Sequence, residues 1–373
     1  MTDTENLGRH GSATRTGSPV GHPSIPAMTG VGPDLDKVLP LMMETALALA
    51  APGKGILAAD ESTPTMAKRL AGIGLESTEP LRRGYREILF STPGLGECVS
   101  GVILFDETIR QRDSAGTPFC DVLRRQGVIP GIKVDAGTRP LAGFTGELVT
   151  EGLDGLRDRL VEYAALGARF AKWRAVIRIA AGLPSATCVD SNAHALARYA
   201  RLAQEAGLTP IVEPEVLMDG EHSLERGAQT TAATLRVVYE QLAQHKVVLE
   251  ASLLKPNMVL SGKDCRIQAD DAEIAATTIA VMRQTVPAAV PGIMFLSGGQ
   301  TDEQATARLN ALNQLGPQPW ELSFSFGREL QAPVLRAWAG DDSNAGQAQE
   351  ALLHRARLNA AARRGTYLAT MER

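Results

Sequence analysis

The stretch FAKWRAV, at residues 170–176, is an apolar run that carries two cations, Lys172 and Arg174, at alternate positions. Alternate residues of a β-strand lie on the same face, so both cations should project from one side of a buried strand. The same design recurs along the chain, as an apolar run, a polar residue at its end and a stretch of helix length. Eight such runs are found, at residues 55–60, 102–105, 128–135, 170–176, 211–215, 247–255, 293–297 and 322–326.

Eight β runs that each precede a helix-length segment predict an α/β protein built as a (β/α)8 (TIM) barrel. Helix-type spacing between the runs supports this fold, as at Leu156, Leu160 and Tyr163. The competing α/β fold is a doubly wound open sheet, which would be indicated by a glycine-rich dinucleotide turn after the first strand. Here the glycine-containing stretch 53–55 comes before that strand.

The composition predicts a soluble globular protein with a large core, because the 373 residues are 44% hydrophobic and 21% charged. A net charge of -4 argues against a nucleic-acid partner. The longest apolar stretch, residues 38–51, contains Pro40 and Glu44, so it predicts an amphipathic helix rather than a membrane span. Scattered cysteines without a CxxC pair predict reduced, buried thiols in a cytoplasmic protein. They are Cys98, Cys120, Cys188 and Cys265.

Three segments are expected along the chain. Residues 1–33 are rich in Gly, Ser, Thr and Pro and lack the apolar core of a secretory signal, which predicts a flexible N-terminal extension. Residues 34–340 are expected to form the catalytic barrel domain. Residues 341–373 are expected to be a C-terminal helix and tail of the same domain, because a polar interruption precedes a helix-like stretch at 347–364.

Charged residues gather at the carboxyl ends of the predicted strands, which is where the active sites of such barrels lie. Six of these residues form three pairs whose members are two positions apart in the sequence, so both members of each pair should lie on one face of a strand. The pairs are Lys133/Asp135, Lys172/Arg174 and Glu213/Glu215. Salt bridges that merely fill the interior are the competing interpretation, but burying eight converging charges without a function would be costly. The eight are Asp60, Lys133, Asp135, Lys172, Arg174, Glu213, Glu215 and Lys255.

Lys255 ends the run at 247–255 and is followed directly by Pro256. Inside an apolar barrel, desolvation disfavours the ammonium form of a lysine, and the neutral amine can attack a carbonyl to form a Schiff base. The alternative is a solvated lysine that only closes a strand. The charged residues at the neighbouring strand ends favour the nucleophile.

Five motifs lie along these runs in barrel-like spacing: GKGILAADEST (53–63), AKWR (171–174), IVEPE (211–215), LLKPNM (253–258) and FLSGGQ (295–300). Together they resemble the class I fructose-bisphosphate aldolases, and the resemblance extends from about residue 34 to residue 367. It implies a lyase of glycolysis and gluconeogenesis that reversibly cleaves fructose 1,6-bisphosphate to dihydroxyacetone phosphate and glyceraldehyde 3-phosphate through a lysine Schiff base. It implies no cofactor, a sugar phosphate as substrate, and a cytoplasmic homotetramer.

The resemblance also implies a role for each catalytic residue. Lys255 would be the Schiff-base nucleophile, and Glu213, with a raised pKa, the general acid and base for carbinolamine formation and dehydration. Asp60 would position the iminium and assist proton removal from the hydroxyl whose C–C bond breaks. Lys172 would hold Lys255 neutral by like-charge repulsion. Glu215 would orient the amines.

A bisphosphate substrate implies two anion sites at opposite ends of the cleft. One is expected after the seventh and eighth barrel strands, where glycine leaves backbone N–H groups open and an arginine adds a bidentate contact. Its residues would be Ser297, Gly298, Gly299, Gly327 and Arg328. The candidates for the opposite site are Lys133, Arg174, Lys68, Arg69 and Thr65. Lys68 and Arg69 are either ligands of that site or part of a solvated helix face.

Three features depart from the family pattern. Many members end on a tyrosine that folds over the site and helps to move a proton at the enamine carbon. This chain ends TMER, with Tyr367 upstream, which puts that step in doubt. Asp106 stands where a histidine is frequent and is expected to matter for packing or for the subunit surface. The extension at 1–33 is longer than the family pattern.

Three other functions are compatible with a barrel. A zinc-dependent aldolase would need about three histidine or carboxylate ligands, but the six histidines lie away from the strand ends and show no ligand spacing, so no metal is expected. A noncatalytic scaffold would be indicated by an altered Lys255, Glu213 or Asp60. A Schiff-base enzyme for a different sugar phosphate would lack the second phosphate site.

Overall fold

The computed structural model describes residues 35–373, and the expected N-terminal extension lies outside these residues. Within these described residues ten strands are formed: β1 (Gly55–Ala59), β2 (Val99–Leu104), β3 (Ile129–Lys133), β4 (Thr138–Pro140), β5 (Leu148–Thr150), β6 (Phe170–Ile177), β7 (Thr209–Val216), β8 (Leu253–Leu254), β9 (Gly292–Phe295) and β10 (Glu321–Phe326). Eight of them close into a parallel barrel in the order β1-β10-β9-β8-β7-β6-β3-β2. The prediction of a (β/α)8 barrel is therefore confirmed.

Helices connect the strands and surround the barrel. They are α1 (Leu35–Leu49), α2 (Thr63–Ala71), α3 (Glu79–Phe90), α4 (Leu95–Cys98), α5 (Asp106–Ile109), α6 (Phe119–Arg125), α7 (Leu156–Ala165), α8 (Ala186–Glu205), α9 (Leu224–Gln244), α10 (Asp271–Thr285), α11 (Asp302–Gln314), α12 (Arg328–Trp338) and α13 (Ala345–Arg363). None of the helices within residues 35–373 is long and apolar enough to cross a membrane.

Alternate residues of the strands face opposite sides of the barrel wall, as the period of two predicts. In β1, Ile56 and Ala58 belong to the cluster that fills the barrel interior. Leu57 and Ala59 belong to the larger cluster between the barrel and the helices. Asp60, the next residue after β1, continues the inward series toward the mouth of the barrel.

Helix α1 covers the end of the barrel where the strands begin. Its residues Ala46 and Leu49, and Ala50 directly after it, pack in one cluster with the inward-facing apolar residues of the strands. The Ser100 hydroxyl at the start of β2 donates to the carbonyls of Leu49 and Gly55, which ties the helix to two strands. The amino-terminal end is therefore filled, and the polar residues at the other end face the solvent-accessible mouth.

Glycine is required in the barrel interior beside the large ring of Phe170. A Cβ placed on Gly131 of β3 would lie 2.2 Å from the Phe170 ring, and one on Gly101 of β2 would lie 3.1 Å from it. Phe170 is fully buried and fills the space that these two glycines leave open. At the amino-terminal end of the barrel, one large side chain, Phe170, therefore packs against two glycines that have no side chain.

The run at 247–255 is not a continuous strand, and that prediction is wrong over most of its length. Residues Leu249–Ala251 form a 3-10 turn, and only Leu253–Leu254 pair as β8. The side chain of Gln204 bonds the backbone of Val248 and the carbonyl of Ala251, so these groups are taken out of any strand pairing. The backbone N–H of Lys255 still donates to Val212 at 2.8 Å, which holds it at the barrel wall.

Two smaller features differ from the sequence-based expectations. The hairpin of β4 and β5, inserted after β3, was not expected from the residue pattern. Three of the four cysteines are buried, but Cys265 is half-exposed, so the expectation of buried thiols is wrong for that residue. Near the C-terminus, α13 packs against α11 and α12.

Candidate active site

The mouth of the barrel opens into a cavity with two lobes. The larger lobe has a volume of about 1000 Å³ and lies over β1, β3 and β6. The smaller lobe has a volume of about 590 Å³ and lies over β9 and β10. Lys255, Glu213 and Arg174 line both lobes, so the two meet at the position predicted for the nucleophile.

Four charged side chains form a continuous chain at the junction of the lobes. The Lys255 amine lies 3.2 Å from Glu213 Oε1, and the Lys172 amine lies 3.1 Å from Glu213 Oε2. Lys172 also lies 2.7 Å from the Asp60 carboxylate. Three of these residues, at 3–4% exposure, are nearly inaccessible to solvent. Burial strengthens each contact, because little water is present to screen it.

The register of the strands explains why these residues meet. Arg174 of β6 stands opposite Glu213 of β7, and Lys172 stands opposite Ile211. Each cation of β6 reaches the carboxylate two residues further along β7, so Lys172 pairs with Glu213 and Arg174 pairs with Glu215. Within the described residues Glu215 pairs with neither lysine. The expectation that Glu215 orients the amines is therefore corrected: its contact is with the guanidinium.

The proton affinities at this site follow from the pairing. Burial raises the pKa of Glu213, but Lys172, Lys255 and Arg174 lower it by more, so its pKa lies below the ordinary value. Burial also opposes ionisation of Asp60, yet Lys172 and Lys255 hold its pKa far below the ordinary range. For Lys172, burial lowers the pKa, and Asp60 and Glu213 raise it well above the ordinary value.

The expected raised pKa of Glu213 is therefore wrong. The sequence placed two amines near this carboxyl but did not reveal that both contact it directly. Direct contact with two cations outweighs desolvation. Glu213 accordingly rests as a carboxylate.

On the far side of the larger lobe, Lys133 and Asp135 are organised by the loop that follows β3. The Lys133 amine lies 2.6 Å from the Asp135 carboxylate and 2.8 Å from the Asp135 carbonyl. Asp135 also accepts hydrogen bonds from the backbone N–H groups of Gly137 and Arg174. Asp135 thus ties the loop to β6 and directs the ammonium of Lys133 along the wall of the lobe.

The remaining residues proposed for this side differ in their placement. Arg69 lines both lobes and pairs with the buried carboxylate of Glu61. Thr65 is exposed on the rim of the larger lobe, 3.1 Å from the Ser62 hydroxyl. Lys68 is exposed and lines neither lobe, which favours the solvated helix face.

The smaller lobe gathers the residues that follow the seventh and eighth barrel strands. Ser297, Gly298 and Gly299 follow β9, and Gly327 and Arg328 follow β10. A Cβ on Gly298 would lie 2.7 Å from Leu296, so only glycine fits without displacement. Arg328 is largely exposed and donates to the Gln300 carbonyl at 3.0 Å.

Some residues at the site were missed from the sequence. Glu61 is buried beside Asp60 and pairs with Arg86 at 2.5 Å as well as with Arg69. The Gln331 side chain donates to Glu61 at 2.7 Å. The alternation of β1 could have indicated that Glu61 points away from Asp60, toward the helices. Nothing in the local pattern identified its partners.

The two remaining departures from the family pattern are also located. The Tyr367 hydroxyl donates to Glu372 at 2.9 Å, and Tyr367 lines neither lobe. Asp106 is on the rim of the larger lobe, where it accepts hydrogen bonds from Arg110 and from the Tyr163 hydroxyl. Across residues 35–373, no three His, Cys, Asp or Glu side chains are arranged to hold a metal ion.

A family model described as fructose-bisphosphate aldolase class-I matches residues 41–373. The "Probable fructose-bisphosphate aldolase class 1" of Xanthomonas campestris pv. campestris is 57% identical over 327 residues, which cover 87% of this chain and 98% of that protein. The "Fructose-bisphosphate aldolase 6, cytosolic" of Arabidopsis thaliana is 53% identical, over 87% of this chain and 91% of that protein.

A solved structure agrees with these sequence matches. It is the fructose-bisphosphate aldolase of Plasmodium falciparum in complex with TRAP and a small molecule inhibitor. The two chains share 46% identity and a TM-score of 0.88, over 89% of this chain and 96% of that one. Because the matches span most of this chain and most of each relative, the chain belongs to the class I fructose-bisphosphate aldolase family.

Proposed function

We propose that Lys255 forms a Schiff base with the ketone of fructose 1,6-bisphosphate, and that Glu213, Lys172 and Asp60 serve its reversible cleavage to dihydroxyacetone phosphate and glyceraldehyde 3-phosphate. The observation that carries this proposal is the contact of one carboxylate, Glu213, with the amines of both Lys255 and Lys172. The reaction is that of an aldehyde-lyase and needs no cofactor.

Formation of the Schiff base requires proton transfer at nitrogen and at oxygen. Glu213 rests as a carboxylate 3.2 Å from Lys255, so it can take a proton from the ammonium and free the amine to attack the ketone carbon. The C–N bond forms as a proton moves from the attacking nitrogen to the former carbonyl oxygen. Glu213 then returns its proton to the hydroxyl of the carbinolamine, which leaves as water while the C=N bond forms.

Cleavage of the C–C bond then uses the iminium as an electron sink. Asp60 accepts the proton of the hydroxyl on the carbon two positions from the iminium carbon. That carbon becomes the aldehyde, and the electron pair of the bond that joins it to the intervening carbon moves into the enamine. Lys172, 2.7 Å from Asp60, holds this carboxylate ionised and offers a positive charge to the developing alkoxide. The same groups act in the reverse order during condensation.

The two phosphates are assigned to the two lobes. In the smaller lobe, Ser297, Gly298 and Gly299 together with Gly327 and Arg328 form the anion site after the last two strands. In the larger lobe, the ligands are Lys133, Arg174, Arg69 and Thr65. Arg174 and Arg69 line both lobes, so either phosphate can recruit them.

The wider setting is also a proposal. Relatives named cytosolic aldolases support a cytoplasmic enzyme of glycolysis and gluconeogenesis. A homotetramer is proposed from family membership, and sedimentation of the purified chain tests it. Residues 34–340 are proposed as the barrel domain, and residues 341–373 as a helix and tail of the same domain.

The mechanism is tested by trapping the Schiff base. The protein is incubated with dihydroxyacetone phosphate, borohydride and a chelator, and the reduced adduct is located by peptide mass spectrometry. The adduct is expected on Lys255. It should be lost in Lys255→Ala and retained in Lys54→Ala, which alters a lysine at the opposite end of the barrel. An adduct on Lys172, or none with an active and folded protein, would overturn the assignment.

A further inference from the structure

The smaller lobe contains a buried carboxylate that the proposed mechanism does not use. Glu329 is the second residue of α12 and directly follows Arg328. Its side chain is 1% exposed and lines the smaller lobe, together with Ser297, Gly298 and Gly299. An acidic side chain in the wall of an anion-binding lobe is unexpected, because it repels the group that the lobe is proposed to bind.

The carboxylate oxygens of Glu329 make few hydrogen bonds. Its Oε1 lies 3.4 Å from Arg328 Nη2, at the long end of a hydrogen bond, and its buried Oε2 has no hydrogen-bond partner. A buried carboxylate oxygen without a partner is costly, so such a group calls for an explanation. The hydroxyl of Ser325, in the same lobe, is likewise buried and without a partner.

Two neighbouring groups compensate the buried negative charge of Glu329. It stands in the first turn of an 11-residue helix, where the backbone N–H groups favour negative charge. It also contacts the guanidinium of Arg328. These are the two features, a helix N-terminus and an arginine, that the proposed function assigns to a phosphoryl group of the substrate.

We propose that Glu329 is an affinity-determining residue that competes with the substrate phosphate for Arg328 and for the N-terminus of α12. A phosphoryl group that binds in the smaller lobe has to draw Arg328 away from Glu329 and lie near the unpartnered Oε2. The phosphate site is thereby weakened, which speeds release of a phosphorylated product. This inference rests on the proposed function, because it assumes that the phosphate binds at Arg328.

The test is a comparison of four proteins: the parent chain, Glu329→Gln, Arg328→Ala and the double variant. Glutamine keeps the shape of glutamate and removes its charge. The dissociation constant of inorganic phosphate is measured by calorimetry, and KM is measured for fructose 1,6-bisphosphate. Glu329→Gln should lower both constants, by roughly 3- to 30-fold at low salt, since removal of one nearby like charge has an effect of this order. Glu303→Gln, in the exposed first turn of α11, is the matched control and should change neither constant.

The double variant separates competition for Arg328 from a general effect of charge. In the Arg328→Ala background, Glu329→Gln should still lower the dissociation constant of phosphate, but the fold-decrease should be less than half of that in the parent chain. If Arg328→Ala weakens phosphate binding but Glu329→Gln leaves it unchanged or weaker, the competition is overturned and the phosphate assignment stands. If Arg328→Ala leaves phosphate binding unchanged, the phosphate assignment itself is overturned. Thermal unfolding of each variant confirms that the fold is retained.

Discussion

The carboxylate of Glu213 lies 3.2 Å from the amine of Lys255, with both side chains almost fully buried. In the proposed mechanism, this contact makes Glu213 the acceptor for the proton that Lys255 must lose before it can attack a ketone. The ionised state of Glu213 also depends on a second amine, because Lys172 contacts the other oxygen of Glu213 and lowers the pKa of the carboxyl.

Glu213→Gln should slow Schiff-base formation more than substrate binding. Glutamine keeps the size of the side chain but can neither accept nor return a proton, so kcat should fall by about 10²- to 10⁴-fold. The KM for fructose 1,6-bisphosphate should change far less. Single-turnover borohydride trapping measures the step directly, and an unchanged trapping rate would remove Glu213 from it.

Lys255→Ala should abolish turnover while the protein still folds. Only the amine can form the covalent intermediate, so a loss of roughly 10⁴-fold or more is expected. Glu213 keeps its contact with Lys172 in this variant, so its charge is not left unpaired. Circular dichroism and thermal unfolding check the fold. Substantial cleavage by a well-folded Lys255→Ala would contradict the assignment of the nucleophile.

Acid should destabilise the protein through Glu213. Its pKa in the folded protein is below the ordinary value of 4.5, so the unfolded chain binds a proton at higher pH than the folded chain does. Its contribution to stability is therefore present above about pH 4.5 and is lost as the pH falls through the lower, folded value. In Glu213→Gln, the free energy of unfolding should depend less steeply on pH below 4.5. Urea unfolding of both proteins at several pH values measures the difference, and equal slopes would contradict the pairing.

Gly131→Ala should disrupt the bottom of the barrel. The new Cβ would lie 2.2 Å from the Phe170 ring, so one of the two must move, at a cost of about 1–3 kcal/mol in the free energy of unfolding. Gly131→Ala should cost less unfolding free energy when it is introduced into Phe170→Leu than when it is introduced into the parent chain, because the smaller leucine leaves room for the new methyl group. Gly346→Ala is the control for an added methyl group, because a Cβ on Gly346 would meet nothing within 4 Å and the position has no positive φ. Additive effects of Gly131→Ala and Phe170→Leu would show that the two positions do not share this space.

Tyr367→Phe should leave turnover unchanged within about twofold. The hydroxyl donates to Glu372, which Arg355 also holds at 2.5 Å, and Tyr367 lines neither lobe of the cavity. The variant loses one partly buried hydrogen bond, so its unfolding free energy should fall by about 1 kcal/mol. Steady-state kinetics and thermal unfolding are measured together. A large loss of kcat would mean that the tail reaches the site during the reaction.

The barrel could be predicted because its strands are local patterns. The run at 55–60 alternates as β1 does, and the inward position of Asp60 follows from a period of two. The run at 247–255 shows where this reasoning ends. Its residues are as apolar as those of a strand, but Gln204, from a distant part of the sequence, bonds the backbone there and leaves only two residues of strand.

The candidate site likewise combines features that the local sequence predicts with features that depend on tertiary contacts. The residue pattern alone predicts that Lys172, Glu213 and Lys255 face one barrel mouth, because the strand ends of a parallel barrel converge. The folded structure determines which of these charges pair, because the register of β6 and β7 places Lys172 beside Glu213 and Arg174 beside Glu215. It also decided the lowered pKa of Glu213, because two cations in contact outweigh burial, and contact between side chains that lie far apart in the sequence depends on packing.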